Sequence, residues 1–112
     1  MSPITTHVLD TALGCPAGGL AIQLSSKTEG EWRVLAEGTT NADGRITDLL
    51  EPGALKAGDY RMVFDTGAYL KAAGRPVFYP QVAIDFRITA PEQHYHVPLL
   101  LAPFGYSTYR GS

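Results

Sequence analysis

The sequence has 112 residues, 45% of them hydrophobic and 18% charged, and its formal net charge is −2. This length and balance predict one globular domain spanning residues 1–112, large enough to bury a core without disulfides or a structural metal. Several classes are excluded: there is no run of Lys or Arg to bind nucleic acid, no apolar run of the ~18–20 residues that cross a membrane and no secretory signal, so we expect a cytoplasmic protein.

Short alternating runs between turn residues dominate the first half of the chain, which is the pattern of an antiparallel sandwich or barrel. The opening strand, ITTHVLD, places Ile4, Thr6 and Val8 on one face. A Gly/Pro loop follows around Cys15, the only cysteine, which has no partner for an intrachain disulfide and no neighbouring base. Strands are then predicted in LAIQLSS, WRVLAEGTT, RITDL and YRMVF, with a turn at NADG in which Gly44 takes a positive φ.

The second half is predicted to contain one short helix and three more strands. The helix lies in DTGAYLKAAG, where Asp65 or Thr66 can cap its start and Gly74 ends it. QVAIDFRIT gives the strongest alternation in the chain, and YHVPLLLA and YSTYRGS follow it. Pro98 lacks a backbone N–H, so its strand is either an edge there or faces no partner at that residue. The overall prediction is an all-β, two-sheet antiparallel sandwich of about eight strands.

Three histidines are candidates for chemistry. His7 lies opposite the face that carries Ile4, and His96 lies opposite the apolar face of its own strand, so both imidazoles project away from the predicted core. The alternative is that they are unrelated surface histidines. His94 shares a face with His96, and the two could hold a metal in principle. No third or fourth ligand is marked in the sequence, so we expect no metal site.

Two further polar segments are ambiguous on their own. Arg45 follows a turn at the start of a short strand, a position typical of a solvated side chain. The final strand carries polar residues on both faces and could be an ordinary edge strand. By alternation, one face holds Ser107, Tyr109 and Gly111, and the other holds Tyr106, Thr108 and Arg110. No glycine-rich phosphate loop, nucleophile elbow or zinc-protease motif is present in the sequence.

Five segments together resemble one known family. They are THVLDTALGCPA, NADGR, FDTGAYL, FYPQVAIDF and YHVPLLLAPFGYSTYRGS, the last of which ends in the tetrapeptide YRGS. The sequence resembles the transthyretin-like proteins, and within them the 5-hydroxyisourate hydrolases, from Thr6 to Ser112. The resemblance implies a transthyretin-like sandwich, pairing of edge strands into a dimer, and a homotetramer, a dimer of dimers, with active sites at the dimer–dimer interface.

The resemblance also implies a reaction and the residues that perform it. The reaction is hydrolysis of 5-hydroxyisourate to 2-oxo-4-hydroxy-4-carboxy-5-ureidoimidazoline in urate degradation, by His-assisted water attack that opens the six-membered ring without a cofactor. An imidazole titrates near neutral pH and suits a general base, while a guanidinium offers planar donors to a polar ring. Which histidine is the base stays open. The implied catalytic residues are His7, Arg45 and His96, and the implied substrate-binding motif is Tyr109, Arg110, Gly111 and Ser112.

Within the motif, the residues are expected to play different parts. Tyr109 and Ser112 would offer hydroxyl groups, and the carboxylate of Ser112 would orient a histidine. Arg110 points the other way by alternation, so we expect it to brace the carboxylate or the interface. Two alternatives remain: a non-catalytic carrier that binds a small ligand in the same channel, as transthyretin does, and a purely structural sandwich module, which predicts a monomer.

Overall fold

A computed structural model describes residues 2–112, which form two packed sheets and one short helix. The elements are β1 (Ile4–Asp10), β2 (Cys15–Pro16), β3 (Ala21–Thr28), β4 (Glu31–Thr39), β5 (Arg45–Ile46), β6 (Gly58–Phe64), α1 (Thr66–Ala72), β7 (Val82–Ile88), β8 (Tyr95–Ala102) and β9 (Gly105–Thr108). One sheet has the order β2-β1-β8-β9, with β5 also paired to β1, and the other has the order β4-β3-β6-β7. The predicted all-β sandwich with one short helix is confirmed.

Alternation along the strands builds the core between the two sheets. In β1, Ile4, Thr6 and Val8 are completely buried, as the sequence predicts. In β8, alternate residues from Tyr95 to Leu101 are also buried. Each fully buried aliphatic side chain stabilises the fold by about 1.5–3 kcal/mol. The histidines of β1 and β8 therefore lie on the opposite face of this sheet, outside the core.

The pairing of β1 with β8 departs from the predicted antiparallel arrangement, because these two strands are parallel. The other strand pairs within residues 2–112 are antiparallel. Alternation in the sequence fixes which face a side chain takes but not the direction of the neighbouring strand, and a parallel pair needs a long crossover. The parallel register places Thr5 beside His96 and His7 beside Pro98.

Pro98 lies at a gap in the ladder between β8 and β9. The ladder begins at the pair of Leu99 and Thr108, and beyond the gap a single bridge joins His96 and Gly111. The carbonyl of Pro98 accepts a hydrogen bond from the Thr108 hydroxyl at 2.7 Å, so the missing N–H faces the same gap. The strand predicted through the last residues holds as far as Thr108, where β9 ends, and the chain pairs with β8 again in the same antiparallel register at Gly111.

The turns and the helix follow the local chemistry of the sequence. Asp65 caps α1 by accepting a hydrogen bond from the amide of Ala68 at 3.1 Å, and Gly74 ends the helical segment with φ +68°. The pair Cys15–Pro16 forms a two-residue strand where the sequence predicts only loop. Among the described residues, no helix has the length and hydropathy needed to cross a membrane.

A buried ionic cluster joins the end of β1 to the helical segment. Asp10 has a fully buried side chain, and Arg75 donates to both of its carboxylate oxygens. The hydroxyl of Tyr69 donates to Asp10 Oδ2 at 2.8 Å, and the amide of Leu13 donates to Oδ1 at 3.1 Å. Both carboxylate oxygens are thus hydrogen-bonded, which offsets the cost of burying the charge.

Candidate functional site

The turn before β5 sets the position of Arg45. The side-chain oxygen of Asn41 accepts a hydrogen bond from the Arg45 amide at 3.0 Å, which closes the turn. Gly44 has φ +73°, and a Cβ atom there would lie 2.4 Å from the carbonyl oxygen of Val8, so only glycine fits. This close approach brings β5 against β1 and makes Arg45 the register partner of His7.

A threonine links two of the three histidines. The Thr5 hydroxyl lies 2.8 Å from Nδ1 of His96 and 3.0 Å from Nε2 of His94. Thr5 is only 5% exposed, and His94 is exposed at the entrance to β8. The sequence alone does not single out Thr5, and it marks His94 only as a candidate metal ligand. Alternation does place Thr5 on the same face of β1 as His7, which is the one sign in the sequence that Thr5 lies near the histidines.

A cavity of about 190 Å³ opens beside these histidines. It brings together two of the three predicted catalytic residues with the end of the predicted C-terminal motif. His7 is not among the lining residues, although its backbone pairs with that of Arg45. The lining residues are Thr5, Thr6, Arg45, Thr47, His94, His96 and Ser112.

Gly111 packs directly against the imidazole of His96. Its amide donates a hydrogen bond to the carbonyl of His96 at 2.8 Å. A Cβ atom on Gly111 would lie 2.5 Å from Cδ2 of His96, closer than side-chain atoms approach. The glycine of the YRGS motif therefore fixes the position of the imidazole and of Ser112 beyond it, and it contributes no side chain of its own.

Tyr109 and Arg110 border a second cavity, of about 340 Å³, at the open edge between the sheets. His96 lines this cavity as well as the smaller one. Arg110 lies over the ring of Tyr95 at 4.3 Å and donates to the side-chain oxygen of Gln93 at 3.1 Å. Tyr109 is 58% exposed. The structure thus separates these two residues of the motif from the cavity of Arg45 and Ser112.

The electrostatics of the site favour a neutral His96. Burial lowers the pKa of His96 below its ordinary value of 6.5, and the nearby charge of Arg45 lowers it further, as do His7 and His94. A neutral imidazole at neutral pH can accept a proton, as a general base must. Within residues 2–112, no group of three or more His, Cys, Asp or Glu side chains is arranged to hold a metal ion.

Comparisons with known proteins place this site in context. The model of the HIUase/Transthyretin family matches residues 4–111. The 5-hydroxyisourate hydrolase of Mus musculus is 50% identical over 113 aligned positions, which cover 99% of this chain and 96% of the mouse protein. The structure of Klebsiella pneumoniae 5-hydroxyisourate hydrolase has a TM-score of 0.84 and 44% identity, covering 97% of this chain and 98% of that one.

A second structural neighbour is a binding protein. Sea bream transthyretin in complex with thyroxine has a TM-score of 0.93 and 38% identity, covering 98% of this chain and 95% of that one. The backbone is therefore similar to both kinds of protein, and the side chains of the site must distinguish them.

Proposed function

This chain belongs to the HIUase/transthyretin family, and we propose that it hydrolyses 5-hydroxyisourate in the cavity lined by Arg45, His96 and Ser112. The observation that carries this proposal is the convergence of a guanidinium and an imidazole of lowered pKa in one cavity, in a chain half identical to a mouse hydrolase of that substrate. The product is 2-oxo-4-hydroxy-4-carboxy-5-ureidoimidazoline, formed by opening of the six-membered ring.

His96 acts as the general base. It lines the cavity and is held by Thr5 on one side and Gly111 on the other, whereas His7 does not line the cavity. His96 takes a proton from water as the water oxygen attacks the ring carbonyl carbon. The ring C–N bond then breaks, and the leaving nitrogen takes up the proton that His96 removed from water, which returns His96 to its starting state. His7 contributes by lowering the pKa of His96 and by its pairing with the strand of Arg45.

Arg45 holds the substrate and stabilises the oxyanion that develops during attack. Its guanidinium has no side-chain hydrogen bond or ion pair among residues 2–112, so its donors are free for substrate oxygens. Planar donors of this kind suit carbonyl and anionic groups. The Ser112 hydroxyl, in the same cavity, adds a further contact to the ring.

The remaining motif residues act in an assembly of four chains. We include in the proposal the homotetramer with active sites at the dimer–dimer interface, in which Tyr109 and Arg110 contact substrate or a neighbouring chain. An exposed aromatic cluster supports association: Phe78 lies 5.9 Å from Phe104 between ring centroids, and the two side chains are 61% and 66% exposed. One domain over residues 1–112 and a cytoplasmic location stay predictions.

The runner-up function is a non-catalytic carrier, because the fold is also close to a transthyretin that binds thyroxine. A carrier of an apolar ligand needs a mainly apolar channel. The cavity here is lined by three threonines, two histidines, an arginine and a serine, which favours hydrolysis of a polar ring.

The decisive experiment is to mix purified protein with freshly generated 5-hydroxyisourate and follow its loss. We expect acceleration over the spontaneous rate, and Arg45→Gln to lower kcat/KM by about 10²–10³-fold because a transition-state donor is lost. Arg33→Gln, an exposed arginine on β4, is the matched control and should behave as the wild type. No acceleration by the wild type, with tight binding of thyroxine, would favour the carrier.

A further inference from the structure

The hydrolysis mechanism above uses Thr5 only to hold His96, although Thr5 makes a second contact, with His94. Its hydroxyl is the only polar group of its side chain, and it lies within hydrogen-bond distance of a ring nitrogen of both His94 and His96. A threonine in a strand usually hydrogen-bonds to backbone, as Thr6 does when its hydroxyl donates to the carbonyl of Val97 at 2.6 Å. Thr5 instead bridges two imidazoles within the proposed active site.

The number of protons available limits how this bridge can be arranged. A hydroxyl has one hydrogen to donate, whereas a neutral imidazole has one N–H donor and one acceptor nitrogen. With both rings neutral, Thr5 donates to one ring and accepts from the other. If it donates to His94 Nε2, then His96 must carry its proton on Nδ1, and Nε2 of His96 is left with its lone pair. The reverse arrangement protonates His96 Nε2 and blocks it as a base.

The outward nitrogen of His96 is accessible. Nε2 has no hydrogen-bond partner among residues 2–112, and no buried side-chain nitrogen in that part of the chain lacks one, so this atom is open to the cavities. Gly111 packs against Cδ2, the carbon beside Nε2, and holds the ring in this orientation. The geometry thus presents one nitrogen of His96 to Thr5 and the other to the substrate side.

We propose that Thr5 holds His96 in the Nδ1–H form, ready to act as a base through Nε2, and relays a proton from His96 to His94. This inference rests on the proposed hydrolysis. In the relay, water adds its oxygen to the substrate carbonyl carbon and gives one proton to Nε2 of His96. The Nδ1 proton of His96 then passes to the Thr5 oxygen while the Thr5 hydroxyl proton passes to Nε2 of His94. His96 ends neutral with Nε2–H, and His94 ends as an imidazolium, so protons and charge balance.

The surroundings favour moving the charge in this direction. A positive charge on the His96 ring is partly buried, and it faces Arg45 on β5 and His7 on β1. Among the described residues that line the cavity, none has a carboxylate side chain. His94 is exposed, so a cation on it is solvated and screened. The relay therefore takes the charge away from Arg45, which is then free to stabilise the oxyanion.

The test reads the ring protons directly, without substrate. Histidine ring ¹⁵N spectra of the wild type, Thr5→Val and Thr5→Ser should be recorded across pH 5–8. We expect His96 in the Nδ1–H form in the wild type and in Thr5→Ser, and in the Nε2–H form in Thr5→Val, whose methyl groups cannot accept from Nδ1. The control Thr28→Val, an exposed site on β3, should match the wild type. The same His96 tautomer in all four proteins would overturn the proposal.

Kinetics then test whether the bridge matters for turnover. We expect Thr5→Val to lower kcat by about 10–100-fold with little change in KM, and Thr5→Ser to restore it, since only the proton path is changed. Full activity in a folded Thr5→Val would overturn the relay even if the tautomer changed. If the wild type fails to hydrolyse 5-hydroxyisourate, the proposed function fails, and the ring spectra alone decide whether Thr5 sets the tautomer.

Discussion

Asp10 and Thr5 lie near opposite ends of β1, and both side chains are almost completely buried. Around Asp10, charges of opposite sign meet, and each carboxylate oxygen has donors from Arg75 and its neighbours. Around Thr5, imidazoles and the guanidinium of Arg45 converge without a carboxylate side chain among the residues that line the cavity. β1 therefore carries two clusters. In the Asp10 cluster both carboxylate oxygens are hydrogen-bonded within the protein, whereas in the Thr5 cluster the guanidinium donors of Arg45 stay available.

The difference shows how burial alone fails to identify a functional site. Burial would raise the pKa of Asp10, but the hydrogen bonds from Arg75, Tyr69 and Leu13 outweigh it and lower the pKa. The same cluster, through burial and the bond to Asp10, raises the pKa of Tyr69 to about 12. The lowered pKa favours the Asp10 carboxylate of the ion pair, and the raised pKa keeps the Tyr69 hydroxyl protonated as a donor to it, so the cluster stabilises the fold. The shift at His96 has no such partner and favours a neutral, reactive ring.

The largest effect is expected from removing the cation of the Asp10 cluster. Arg75→Met leaves a buried carboxylate with only Tyr69 and a backbone amide as donors, so we expect a loss of about 3 kcal/mol in the free energy of unfolding. Urea unfolding measures it. The exposed pair of Arg87 and Asp59 provides the control, and Arg87→Met should unfold at the wild-type midpoint. Equal midpoints for Arg75→Met and Arg87→Met would show that burial of the pair contributes nothing.

A second test disturbs the Thr5 cluster by changing how residue 111 packs against the ring of His96. Gly111→Ala places a methyl group against the His96 ring, so the ring or the last residues must shift. We expect kcat to fall by about 10–100-fold, because a misplaced base transfers protons poorly. Gly105→Ala is the matched control, since a Cβ there meets no atom within 4 Å. Equal kcat values in the two variants would remove Gly111 from the positioning of His96.

The smallest expected effect is a shift in the titration of His96. Because its pKa is lowered in the fold, the folded chain binds a proton less readily than the unfolded chain, so this group costs stability as pH falls below 6.5 toward the folded pKa. Arg45→Gln removes one of the charges that lower this pKa and should raise it. NMR titration of the ring measures the shift, with Arg33→Gln as control. A lower or unchanged pKa in Arg45→Gln would contradict the electrostatic picture.

The face of the sheet on which each side chain lies could be predicted from the sequence, but the residues that it contacts could not. Alternation placed His7 and His96 outside the core, and Pro98 predicted that its strand is either an edge or unpaired at that residue. The parallel pairing of β1 with β8 is set by the packing of the whole sandwich. The contact of Thr5 with His96 therefore could not be predicted from the sequence. The ion pair of Arg75 with Asp10 could not be predicted either, because the two residues are 65 positions apart in the chain.

The tetrapeptide YRGS was predicted as one binding unit from the resemblance. In the structure Tyr109 and Arg110 border one cavity, Ser112 lines the other, and Gly111 packs against His96 between them. Alternation still sets the faces across this gap, since Arg110 contacts Tyr95 and Gly111 contacts His96, but it does not show which cavity a residue lines. Arg110 contacts Tyr95 and Gln93, and its role in bracing the carboxylate or the interface stays a prediction.

The parallel contact of β1 with β8 also has a consequence for how the site comes into existence. Thr5 and His96 are 91 positions apart in the chain, so their meeting closes a loop that contains nearly all of the fold. Contacts of such high sequence separation form slowly, because a long loop must be closed before they are made. We expect a nascent or partly unfolded chain to have no catalytic capacity at all, so activity during refolding should report completion of the sandwich rather than the growth of any part of it.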